Sequence, residues 1–109
     1  MSVILLRMFQ ETPDEQVAKL LLHRVSKLVK AAGYSVVKTS VKPYWKIPEY
    51  FEVVVKMTTA PGEGGIEHVL VKLGSGWLHQ RPGEAIWNKE ENAHFMDESV
   101  RWAHLELIE

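Results

Sequence analysis

Apolar and polar positions change period several times along the chain, and each change marks an element. Residues 3–9 form a short apolar run interrupted by Arg7, which reads as a first strand. In the next stretch, ETPDEQVAKLLLHRVSKLVKAAG, Thr12 stands at an N-cap position, Pro13 at the first helical position and Glu15 three residues after the cap. That arrangement is a capping box, in which cap and carboxylate satisfy backbone N–H groups that a helix start leaves unpaired. Val17, Leu20, Leu21, Val25, Leu28 and Ala32 then recur at helical spacing, so this long helix lays one face on a sheet, and Gly33 supplies its left-handed stop.

After the helix the period falls to two. YSVVKTSV reads as a strand, and KPYWKIP as a bend with Tyr44 and Trp45 between two prolines. From residue 50 to 59, Phe51, Val53, Val55 and Met57 share one side, as a half-buried strand demands. PGEGG then reads as a hairpin loop leading to a strand over about 66–73, with Val69, Val71 and Leu73 together. A short strand near 84–88 follows, then NKEENAHFMDES, compatible with a turn or two of helix. VRWAHLELI closes as a strand that turns Ala103, Leu105 and Leu107 inward and Trp102, His104 and Glu106 outward. The order β-α-β-β-β-(β)-β, with short links after the helix, predicts an α+β single domain over residues 1–109. One long N-terminal helix packs on a mainly antiparallel sheet.

Composition supports a folded unit: 46% of the 109 residues are hydrophobic and 25% charged, enough apolar side chain to offset the entropy of ordering. With no cysteine there is no disulfide, thiolate ligand or thiol nucleophile, which suits a cytoplasmic location. The opening apolar run is too short and wrongly flanked for a signal peptide or membrane span. Net charge is −1 but divides unevenly, with residues 1–48 at +5 and residues 49–109 at −6. An acidic surface attracts basic proteins and repels polyanions, so the division bears on partners.

Catalytic signatures are weak. Five histidines include no HExxH, and His104 with Glu106 offers two ligands from one strand face where zinc takes four, so neither metal nor cofactor is expected. Ser99, His104 and Asp97 have the residue types of a hydrolytic triad without its defining context. Lys19, Arg24, Lys27, Lys30, Lys38, Lys42 and Lys46, beside Tyr44 and Trp45, could combine phosphate contacts with base stacking on a single-stranded nucleic acid. The acidic second half opposes that. A small enzyme of unassigned chemistry is the third alternative.

The C-terminal stretch points elsewhere. Trp87 and Trp102 among Glu90, Glu91, Asp97, Glu98, His104 and Glu106 have the composition of a binding hot spot, with aromatic anchors inside a charged rim. GW at 76–77, AIWN at 85–88 and VRWAHLEL at 100–107, on a cysteine-free chain without a catalytic set, resemble the small immunity proteins of bacterial polymorphic-toxin and contact-dependent growth inhibition systems. The resemblance implies a non-catalytic intracellular antitoxin whose partner is a cognate toxin domain, often a basic nuclease. Trp87 and Trp102 would then be anchors and the acids a steering rim.

Overall fold

A computed structural model describes residues 3–59, 66–90 and 92–108. The elements in chain order are β1 (Val3–Glu11), α1 (Glu15–Ala31), β2 (Ser35–Pro43), β3 (Tyr50–Thr58), α2 (Glu67–Leu73), β4 (Gly74–Ser75), β5 (Leu78–Arg81), β6 (Glu84–Asn88), β7 (His94–Phe95) and β8 (Val100–Leu107). Six strands form one antiparallel sheet in the order β2-β3-β1-β8-β6-β5, and β4 pairs with β7 in a small ribbon. The α+β class and the leading strand agree with the sequence pattern. A second helix is added, and the long helix is the second element of the chain.

Helix α1 starts later than the capping box predicts. Asp14 is the N-cap and its Oδ1 accepts the Gln16 N–H at 2.9 Å, while the buried Thr12 hydroxyl accepts the Asp14 N–H at 3.2 Å. Asp caps as well as Thr, and Thr12 shapes the turn before the helix. The buried stripe is Ala18, Leu21, Val25 and Val29, with Val17 and Leu20 left at the surface. The helix is therefore rotated about its axis from the expected face, with the small Ala18 against the sheet. At its other end, Gly33 adopts φ +97°, the Gly33 N–H bonds Lys30 O and the Tyr34 N–H bonds Val29 O, which completes a Schellman motif.

The expected strand over 66–73 is a helix. Ile66, Val69, Leu70 and Leu73 are buried and Val71 is exposed, so the burial follows the i, i+3, i+4, i+7 series of a helix. The alternation of Val69, Val71 and Leu73 is incidental to it. PGEGG lies outside the described residues. The stretch after Asn88 forms turns and the short β7 in place of helix.

Both helices and the β4–β7 ribbon belong to one core with Ile4, Leu6 and Met8 of β1, Val53, Val55 and Met57 of β3, Ala103 and Leu105 of β8, and Ala85 and Trp87 of β6. At the ribbon a Cβ on residue 74 would collide with the His94 carbonyl, which restricts that position to glycine. All of this lies on one side of the sheet. The alternate side chains project from the other side, which no helix of the described residues covers, as an antiparallel sheet permits.

Candidate functional site

On the open side, the strand register sets Phe9 of β1 between Glu52 of β3 and Trp102 of β8, and Arg7 between Val54 and His104. The rings form a row. Tyr44, just after β2, meets Phe9 at 4.4 Å, Phe9 stacks on Trp102 at 5.0 Å, and Trp102 stacks on His104 at 5.9 Å and 13°. Phe9 is buried although it points away from the core, because these neighbours and the Arg7 guanidinium, 5.5 Å from its ring centroid, cover it.

Beside the row lies a cavity of about 530 Å³ lined by Arg7, Phe9, Tyr44, Ile47, Tyr50, Arg101 and Trp102. Strict alternation would send Arg101 inward with Ala103. A β-bulge intervenes: Phe9 pairs with Trp102 and Gln10 with Val100, so Arg101 is the extra residue and joins Trp102 at the cavity while Val100 enters the core. The two arginines that line the cavity each meet a carboxylate of the chain, and a lysine shares one of these. Arg7 bonds Glu52 at 2.8 Å, Lys42 approaches the same carboxylate at 3.4 Å, and Arg101 bonds Glu11 at 2.5 Å.

At the far end of the row, the His104 Nε2 lies 2.7 Å from Glu84 Oε2, and Arg81 bridges Glu84 at 3.0 Å and Glu106 at 2.7 Å. Glu84 and Glu106 are direct cross-strand partners, a like-charge pairing that destabilises a sheet unless a cation stands between. Donor atoms of Glu84, His104 and Glu106 all lie within 4.8 Å of one another, which adds a third ligand to the two visible in the sequence. A divalent ion there would have to displace Arg81 from both carboxylates.

The His104 hydrogen bond, with Arg81 beside it, holds the Glu84 carboxyl below its ordinary value despite partial burial. A depressed carboxylate contributes stability that is present above its unfolded pKa, about 4.3, and lost as pH falls through the lower folded value. Glu84→Gln is therefore expected to flatten the acid limb. Urea midpoints measured from pH 6 to pH 3 should fall less steeply in the variant than in the wild type, and parallel curves would deny Glu84 this role.

The residues expected to form one acidic and aromatic site are dispersed. Trp87 is 1% exposed, packed 5.1 Å from Phe95, with its indole N–H donating to Ser75 O at 2.8 Å, so it belongs to the core and cannot anchor a partner. It pairs with Ala103 and projects from the side opposite Trp102. Asp97 is held by Arg24 of α1 at 3.2 Å and accepts the Ser99 hydroxyl at 2.5 Å, so it is not a free rim charge. Glu90 and Glu98 are exposed around a second concavity of about 480 Å³ that Lys89, His94 and Trp87 also line. Glu91 lies outside the described residues. Of the expected set, Trp102, His104 and Glu106 share the open face, with Glu106 bound to Arg81.

Ser99 bonds Asp97 and Gln10, whereas His104 bonds Glu84, so the three residues of the triad pattern are not assembled. The nucleic-acid pattern is divided too. Tyr44 joins the open face through Phe9, and the helix that carries Lys19, Lys27 and Lys30 packs on the other side of the sheet.

Sequence reasoning did not pick out Arg7, Phe9, Tyr50 or Arg101. Alternation within β1 contained the signal for the first two, since Leu5, Arg7 and Phe9 oppose Ile4, Leu6 and Met8. Among the described residues no helix is long and apolar enough to cross a membrane. No protein-family model, curated protein or solved structure matches this chain.

Proposed function

We propose that this chain is a non-catalytic binding protein of the immunity type, which neutralises a cognate toxin domain in the cytoplasm by occupying it through the open face of the sheet. The observation that carries the reading is the aromatic row Tyr44–Phe9–Trp102–His104 beside a cavity flanked by Arg7 and Arg101. Trp, Tyr and Arg are the residues that dominate binding hot spots, the aromatics because they bring large contact area at few rotatable bonds and Arg because its planar fork directs several hydrogen bonds. Ion pairs already formed within the chain place the rings without demanding a strongly charged partner.

The acids keep a smaller part in this reading. Glu90 and Glu98, exposed around the second concavity, would attract a basic nuclease-type domain during approach and affect the encounter rate more than the final affinity. Tyr44 and Trp102 are already packed against neighbouring rings, which leaves the exposed Trp45 as the ring open to a nucleobase.

The test uses the toxin domain encoded beside this chain, in growth protection and in titration with purified protein. Replacing Trp102 with Ala should abolish protection, whereas Glu90→Gln with Glu98→Gln should slow association and leave most of the affinity. Full protection by the Trp102 variant would remove the open face as the contact surface.

A further inference from the structure

The cavity beside the aromatic row is lined by two arginines and by no acid. Glu52 and Glu11, which pair with Arg7 and Arg101, stand outside its lining and hold the two guanidiniums in place. Three cations, Arg7, Lys42 and Arg101, meet these two carboxylates, which leaves one positive charge in excess, and Lys46 and Glu49 on the adjoining bend offset each other in charge. Donors outnumber acceptors as well. Arg7 uses its Nε and Nη2 on one oxygen of Glu52, and Arg101 uses only its Nε on Glu11. Nη1 of the first and both Nη groups of the second therefore have no acceptor among the described residues. The same holds for the Trp102 indole N–H, whereas those of Trp77 and Trp87 donate to Leu70 O and Ser75 O.

We propose that this cavity binds a small organic acid, a single carboxylate on an aromatic or aliphatic body. One surplus positive charge suits one carboxylate, which accepts hydrogen bonds at both oxygens and donates none, and the planar guanidinium fork matches its geometry. Because Glu52 and Glu11 already fix the arginines, less side-chain freedom is lost when the ligand enters. The walls complete the site. Phe9, Ile47, Tyr50 and Trp102 present apolar surface to the body of the ligand, and a volume of about 530 Å³ is that of a small-molecule pocket, far more than the side chain of one Asp or Glu would fill.

Titration of the isotope-labelled protein with indoleacetate, followed by nuclear magnetic resonance through the indole N–H signals, tests the site. The Trp102 signal, assigned by its loss in Trp102→Phe, should move with added acid while those of Trp77 and Trp87 stay in place. Indoleacetamide has the same shape without the charge and should bind about 10-fold or more weaker, the worth of a hydrogen bond to a charged group. Arg101→Gln should cost the acid a similar factor and the amide little, with Arg101→Lys between wild type and Arg101→Gln. Ile47→Glu, which sets one of the chain's own carboxylates in the cavity wall, should abolish binding of the acid. Ile47 is 39% exposed, so the fold tolerates the change, and this variant keeps the test decisive should Arg101→Gln unfold. An unmoved Trp102 signal at millimolar acid, equal affinity for acid and amide, or undiminished affinity in Ile47→Glu overturns the proposal. The titration needs no toxin: its failure leaves the toxin reading standing, and that reading falls on full protection by the Trp102→Ala protein.

Discussion

Trp87→Ala is expected to lower the free energy of unfolding by about 3 to 5 kcal/mol, the range for removing a large aromatic ring from a closed core. Small domains have about 5 to 15 kcal/mol in total, so much of the protein should be unfolded at moderate urea. Two effects combine. The ring is 1% exposed and packs on Phe95, so its removal leaves a cavity under the β4–β7 ribbon, and the Ser75 carbonyl loses its indole donor at 2.8 Å. Trp87→Phe separates them, keeping much of the volume while giving up the hydrogen bond, and should cost about 1 to 3 kcal/mol. Urea unfolding followed by circular dichroism measures both. A Trp87→Ala loss below about 1 kcal/mol would place the ring outside the cooperative core.

How much of this was legible in the sequence depends on whether an element's period was unique. In β3, and in β8 beyond its bulge, alternation left one solution: Phe51, Val53, Val55, Met57, Ala103 and Leu105 are all buried, and Leu107 is half-buried against the same core. Residues 66–73 satisfy two periods at once, and tertiary packing decides for the helix by burying Ile66, Val69, Leu70 and Leu73. The site was less legible because proximity in sequence stood in for proximity in space. Trp87 and Trp102 lie on adjacent strands, yet the register pairs Trp87 with Ala103 and Asn88 with Trp102, which sends the two indoles to opposite sides. Arg101 reaches the cavity through a one-residue bulge that no composition or periodicity announces. Tyr44 and Trp45 were visible as an aromatic bend, but their alliance with Phe9 and Trp102 needed the order β2-β3-β1-β8.

Trp102→Ala is expected to do the reverse of the Trp87 substitution, sparing the fold and removing the interaction. Its ring is half-buried on the open side, stacked on Phe9 and His104, so truncation gives up two ring contacts worth about 0.5 to 1.5 kcal/mol each, with little cavity cost because solvent fills the space. Binding should suffer more. A central aromatic anchor contributes about 2 to 4 kcal/mol when truncated, equivalent to roughly 30-fold to 1,000-fold in dissociation constant. The same variant also exposes Phe9, whose cover is Trp102 and Tyr44, so Tyr44→Ala should weaken the complex in the same direction and by less than additively. Titration calorimetry with the cognate domain, beside urea unfolding of the same preparations, measures the two effects. Only an affinity loss far larger than the stability loss fits an anchor on the open face. Equal losses would mean that Trp102 merely helps to hold the sheet together.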